Sequence, residues 1–212
     1  MKKENLERML ENMLSTGGDF AEIFLEDKKT TIYNYVDSNL DGYSVNYSSG
    51  LGLRLAKENN VYYAATNDFS NKNINSIINS LKENVNGKAI YDYVSLNRIK
   101  KYKNNYKTHY TNEDIKKLFN SLDKKIRIKD ERINQVSLNL QNVKQNVTIA
   151  RENGLYKKEE RERTRLYITI SLKDNDKSCN KAYSYGKTIS LDLLDEINYD
   201  EVINNLVKEG LD

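Results

Sequence analysis

Proline is absent from this chain, and cysteine and histidine occur once each, as Cys179 and His109. A single cysteine cannot close an internal disulfide, which suits a reducing compartment and makes the cytoplasm the expected location. A single histidine without cysteine or carboxylate at ligand spacing does not build a zinc site, which wants three or four such ligands. No stretch approaches membrane-spanning length. Met1 to Leu14 carries Lys2 and Lys3, but Glu4, Glu7 and Glu11 break the apolar run that a secretory signal needs. Excess charge of one sign is missing too. Lys plus Arg at 34 and Asp plus Glu at 31 leave +3, so no broad basic field for nucleic acid is implied.

At 212 residues with 38% hydrophobic content, the chain can bury the core of one domain or of two small ones. Lys, Asn, Ile and Tyr are heavily used, which reads as AT-rich codon bias, so the raw Lys and Tyr counts carry little functional weight.

Between Asp19 and Thr66, apolar residues alternate with polar ones. Ala21, Ile23 and Leu25 oppose Glu22 and Glu26, and Leu51, Leu53 and Leu55 alternate with Gly50, Gly52 and Arg54. Successive strand side chains point to opposite faces, so this spacing gives one buried and one wetter face. Five strands are expected: Phe20–Asp27, Thr30–Asp37, Gly42–Tyr47, Leu51–Lys57 and Val61–Thr66. Helical stripes flank them, over Glu4–Ser15 and from Ser70, a candidate N-cap, through Ile74, Ile77, Ile78, Leu81 and Val85. Thr111 and Asp114 form a capping-box-like start to a helix bearing Ile115, Leu118, Phe119 and Leu122. A second strand group follows: Val136–Leu140, Val147–Ile149, a turn or a break before a long excursion at Asn153-Gly154, Leu166–Leu172, and a return over Ala182–Ile189. A closing helix is expected over Leu191–Glu209. The order is helix, strands, two helices, strands, helix. Helices in blocks argue for α+β, mainly antiparallel meander sheets covered by helices. Whether there is one sheet or two stays open.

Candidate chemistry is sparse. Gly50-Leu51-Gly52-Leu53-Arg54 lacks the following helix and third glycine of a phosphate loop, and strand pattern runs through it, as at a close backbone approach or bulge. The basic, tyrosine-rich stretch 98–110, with Lys100, Lys101, Tyr102, Lys103, Tyr106 and Lys107, superficially suits single-stranded nucleic acid but reads better as a solvated loop. Cys179 lies in a polar turn context after Asp174 and Asp176, and it has no evident base unless His109 folds against it. The charged run Lys157–Arg165 reads as a solvated connection. Its Glu159 and Glu160 would point apart if extended, which is no acid pair for glycoside hydrolysis. No catalytic residue and no metal ligand is identified.

Asp19-Phe20-Ala21-Glu22, Gly50-Leu51-Gly52-Leu53-Arg54 and Tyr62-Tyr63-Ala64-Ala65-Thr66 before an isoleucine-striped helix resemble the N-terminal domain of the TldD/PmbA family. Val147-Thr148-Ile149-Ala150, Asn153-Gly154 and Arg163 to Ile170 continue the likeness in the order of TldD-like more than PmbA-like members. Proteins of this family were named as modulators of DNA gyrase and are regarded as zinc metallopeptidases. The resemblance implies that residues 1–190 form the N-terminal α+β domain and that 191–212 lead toward a C-terminal catalytic domain. That missing domain would hold the zinc on a His-Glu-x-x-x-His helix with a distant cysteine. No His-Glu pair occurs here, and Cys179 lies in the wrong half. Three readings follow. The first is the non-catalytic part, or a truncated paralogue, of a TldD-type peptidase, with that catalytic domain, a homologous subunit and a peptide as partners. The second is a free-standing nucleic-acid module using 98–110, and the third an enzyme using His109 and Cys179. The first is preferred, and the chain alone is expected to hold no stoichiometric zinc and to cleave no peptide.

Overall fold

In the computed structural model, residues 1–102 and 108–211 are described. The stripe of Leu6, Met9, Leu10, Met13 and Leu14 forms helix α1 (Lys3–Leu14), and all five are buried. The strands that follow are longer than the apolar pattern suggests. Strand β1 (Phe20–Val36) and strand β2 (Asn39–Lys57) run without interruption through Lys28-Lys29 and Ser48-Ser49-Gly50, where turns are expected from the sequence. Three strands therefore stand where five are expected, the third being β3 (Asn60–Thr66). Ladder hydrogen bonds belong to the backbone and do not require an apolar side chain at every step, so a polar interval need not end a strand. The true turns carry positive φ, at Asp37 (46°) and Ser38 (67°) between β1 and β2, and at Glu58 (56°) between β2 and β3. Two consecutive left-handed residues are the requirement of a tight hairpin whose twist matches its strands.

Helix α2 (Asn71–Lys82) begins at Ser70, whose hydroxyl accepts from the Asn73 backbone N–H. Strand β4 (Arg98–Tyr102) replaces part of the expected loop and pairs in parallel with the start of strand β6 (Leu155–Asp174). Helix α3 (Asn112–Arg127) carries the expected capping box of Thr111 and Asp114. Strand β5 (Ile133–Arg151) precedes β6, with Gly154 at φ 85° in the turn. Strand β7 (Lys177–Lys187) pairs antiparallel with β6. The seven strands follow the hydrogen-bonded order β3-β2-β1-β5-β6-β4, with β7 also on β6. The α+β architecture read from the sequence holds.

The charged run Lys157–Arg165 is strand rather than a solvated connection. Glu162 and Thr164 are buried within it, and the Asn142 amide donates to both at 2.9 Å, with the Lys144 ammonium 3.5 Å from Glu162. A buried carboxylate is tolerable when donors and a counter-charge meet it. The expected closing helix is also broken. A 3-10 turn (Leu191–Glu196) gives way to extended Ile197, and helix α4 (Tyr199–Leu211) starts afresh. The cause is a second start signal. The Asn198 side chain accepts from the Glu201 N–H and donates to the Glu201 carboxylate.

The chain divides into two compact units: unit 1 is Met1–Lys28, Tyr47–Asn104 and Gln145–Arg161, and unit 2 is Lys29–Asn46, Asn105–Lys144 and Glu162–Asp212. Strands β1, β2, β5 and β6 contribute a part to each. Unit 1 has its own core, in which Leu6, Leu10, Ile23, Leu53, Leu55 and Ile78 have no exposure. Glu7 and Glu11 of α1 accept the backbone N–H groups of Leu96 and Val94, which fixes that segment on the helix. In unit 2, Phe119 meets the Tyr35 ring edge-on at 5.7 Å, amid Ile115, Ile126, Leu140, Ile168 and Ile170. Each fully buried aliphatic or aromatic side chain contributes about 1.5–3 kcal/mol.

Candidate functional site

In unit 1, strand alternation puts Ala21, Ile23, Leu51, Leu53 and Leu55 into the core. The opposite face then receives Phe24, Glu26, Gly50, Gly52, Tyr63 and Ala65. Two of these have no side chain. On that face a hollow of about 510 Å3 is lined by Phe24, Glu26, Gly50, Gly52, Tyr63 and Thr66, with Ser48 and Ser49 at its side. Gly52 faces Ala65 across the β2–β3 ladder. The Tyr63 phenol leans over it, so that a Cβ on Gly52 would stand 2.9 Å from the Tyr63 hydroxyl oxygen. A Cβ on Gly50 would meet only the Thr66 carbonyl, at 3.8 Å. The group that comes close at Gly52 is the Tyr63 side chain rather than the backbone expected from sequence, and the two glycines leave the hollow free of side chains of their own.

Charge on this face is organised around Glu22. Its carboxylate takes the Arg151 guanidinium at 2.6 Å and lies 3.6 Å from Arg54. Arg54, a residue of the glycine-rich motif, therefore has an ion-pair partner on the sheet face while its side chain stays 48% exposed. Glu26 at the hollow accepts from Gln145 at 2.7 Å and lies 3.6 Å from Lys28. Next to the hollow, β3 is the terminal strand of the ladder order and, among the described residues, pairs with β2 alone, which leaves one row of its backbone donors and acceptors unpaired by the sheet.

Lys100, Lys101 and Tyr102 lie exposed in β4, while Lys103, Tyr106 and Lys107 fall outside the described residues. Because neighbours on a strand alternate in direction, Lys100 and Lys101 point to opposite faces. Tyr102 is covered by the Lys157 ammonium, 5.1 Å from its ring centre.

His109 in unit 2 stands between two carboxylates that sequence spacing does not reveal. Its Nδ1 is 3.7 Å from Asp192 Oδ1, and its Nε2 is 3.7 Å from Asp195 Oδ2. Tyr110 donates to Asp195 Oδ1 at 2.5 Å. Burial first, and then the bond to Asp195, raise the Tyr110 pKa well above that of free tyrosine, so its phenol keeps its proton. Cys179 is elsewhere, on β7 opposite Leu172, and belongs to no metal-ligating group among the described residues. The partners seen for His109 are Asp192, Asp195 and the Tyr110 ring, and no contact with Cys179 among the described residues supports the reading as a thiol enzyme. Phe24, Glu26 and Tyr63 were open to sequence reasoning through strand alternation. Asp192 and Asp195 were not, since only the tertiary fold carries them to His109.

No curated protein sequence matches the chain. The sequence pattern of PmbA/TldA metallopeptidase domain 1 matches residues 21–85, and that of the PmbA/TldA metallopeptidase central domain matches residues 105–211. Among solved structures, a protein described as a candidate modulator of DNA gyrase from Bacteroides thetaiotaomicron aligns with TM-score 0.71 at 14% identity, over 98% of this chain and 49% of its own. A protein of the same description from Thermotoga maritima aligns with TM-score 0.64 at 12% identity, over 91% and 44%. TldE from Thermococcus kodakarensis aligns with TM-score 0.64 at 15% identity, over 97% and 46%. The chain spans about half the length of these relatives. With both the first and the central domain matched in order and the same fold in three relatives, the chain belongs to the PmbA/TldD metallopeptidase family.

Proposed function

We propose that this chain is the non-catalytic part of a TldD-type zinc metallopeptidase, and that it receives an extended peptide on unit 1. The observation that carries the reading is the hollow over Gly50 and Gly52 beside the free edge of β3. An extended peptide can add to such an edge through main-chain hydrogen bonds and set a side chain into an adjoining pocket. Glu26 at the hollow would favour a cationic or hydrogen-bond-donating side chain.

The family's zinc does not fit this chain. The sequence holds no His-Glu pair, and Cys179 on β7 is not part of any metal-ligating group among the described residues. No catalytic step is derived through zinc, and on this reading the metal belongs to a C-terminal catalytic domain that acts as a partner. A homologous TldD/PmbA-type subunit is the other partner. Among the described residues no helix is long and apolar enough to cross a membrane. A cytoplasmic location is supported by the single cysteine.

The test is fluorescence anisotropy of labelled, unstructured peptides titrated with the 212-residue chain. Saturable peptide binding without cleavage is expected, weakened at least ~10-fold in Gly50→Leu, whose side chain fills the hollow, a loss of about 1.4 kcal/mol. Absence of peptide binding in wild type, or peptide hydrolysis by the purified chain, would overturn the reading. Salt-sensitive binding of single-stranded nucleic acid would favour the module built on 98–110 instead.

A further inference from the structure

We infer that His109, Asp192 and Asp195 form an exchangeable site for a borderline divalent cation of the Zn2+ class in unit 2. One candidate ligand atom from each side chain lies within 4.8 Å of the other two. Ligand atoms bound at ~2.0–2.2 Å around one ion stand ~3–3.5 Å apart. The His109 side chain is 69% exposed, so its ring can turn toward an ion held by the two carboxylates.

The surroundings of the carboxylates favour an ion over a plain charge pair. Each aspartate has one oxygen held by a neighbouring hydroxyl and one left over. The Ser190 hydroxyl donates to Asp192 Oδ2 at 2.7 Å, and the Tyr110 hydroxyl donates to Asp195 Oδ1 at 2.5 Å. The remaining oxygens, Asp192 Oδ1 and Asp195 Oδ2, are the two that face His109. At 3.7 Å neither makes a hydrogen bond to the imidazole. Asp192 Oδ1 is moreover closed off from solvent and has no hydrogen-bond partner among the described residues. A buried carboxylate oxygen that no protein donor meets can serve as a cation ligand. The outer hydroxyls then do what a second shell does, orienting each carboxylate so that one oxygen is presented inward.

The donor set selects the ion. One imidazole with two carboxylates suits zinc and its transition-metal neighbours, whereas calcium and magnesium prefer all-oxygen sites. With three protein donors and one largely exposed, water completes the coordination and the ion exchanges. It would tie the segment before α3 to the 3-10 turn before α4, which stabilises unit 2. This revises the expectation that the chain holds no metal, and it is independent of the peptide cleft.

The test is isothermal titration calorimetry of the chelator-stripped 212-residue chain with zinc chloride, together with thermal melting. One ion per chain is expected, with a Tm that rises with zinc concentration as mass action requires. His109→Ala and Asp192→Asn should each weaken binding at least ~10-fold, and Tyr110→Phe, which alters only the outer shell, by ~10-fold or less. Cys179→Ser should leave binding unchanged. Because the His109 side chain is 69% exposed, His109→Ala is expected to keep the wild-type circular dichroism spectrum, so that loss of binding there reads the site. Absence of saturable binding in wild type, undiminished affinity in His109→Ala, or dependence on Cys179 would overturn the proposal.

Discussion

Tyr63 roofs Gly52: a Cβ at position 52 would come to 2.9 Å from the phenol oxygen, while the backbone beneath is an ordinary rung of the β2–β3 ladder. The contact is with the far end of an exposed side chain, so a larger residue at 52 displaces the tyrosine and leaves the strand in place. Gly52→Val is expected to change stability by less than ~1 kcal/mol in urea unfolding while weakening peptide binding at least ~10-fold by anisotropy. A collapse of stability with the cleft intact would place the glycine's role in the sheet.

The buried pair of Asn142 and Glu162 offers an asymmetric test. Removing the donor in Asn142→Leu leaves the Glu162 carboxylate short of a partner it meets at 2.9 Å, and a loss of about 2–3 kcal/mol is expected from urea unfolding. Glu162→Gln keeps the shape and removes the charge, and should cost less. The order of the two losses is the measurement.

Phe119 fills the centre of the unit 2 core with no exposure. Its truncation in Phe119→Ala opens a cavity against Tyr35, with an expected loss of about 3–5 kcal/mol by chemical unfolding. Phe119→Leu should recover more than half of that loss.

Acid sensitivity has a named source at Asp130. The Arg132 side chain and backbone N–H hold its carboxylate down from the usual 3.8 to about 2. The folded state binds this proton less readily than the unfolded one, so the contribution is complete above about pH 4 and fades as pH falls from about 4 to about 2. Melting temperature followed through that window should fall less steeply in Asp130→Asn. Equal slopes would remove Asp130 from the account.

Much of the helical scaffold is legible in the residues themselves, because caps and stripes act over one or two turns. The Thr111–Asp114 box and the Ser70 cap appear where they are read, and so does the Asn153-Gly154 turn. Strand ends are not legible in this way. Lys28-Lys29 and Ser48-Ser49-Gly50 look like breaks but continue as ladder, and Glu162 looks solvated but is buried once Asn142 lies opposite. The Asn198–Glu201 signal that splits the last helix was open to reading from its spacing alone.

The sequence by itself determined the α+β class, most of the helix starts, the face on which Leu51, Leu53 and Leu55 of β2 are buried, and the family, since these rest on local spacing and on motif order. Only the tertiary structure decided that β4 and the charged run join the sheet, that Tyr63 closes over Gly52, and that His109 stands between Asp192 and Asp195. Those relations hang on partners distant in the chain, and no local pattern encodes which distant residue a folded backbone brings near.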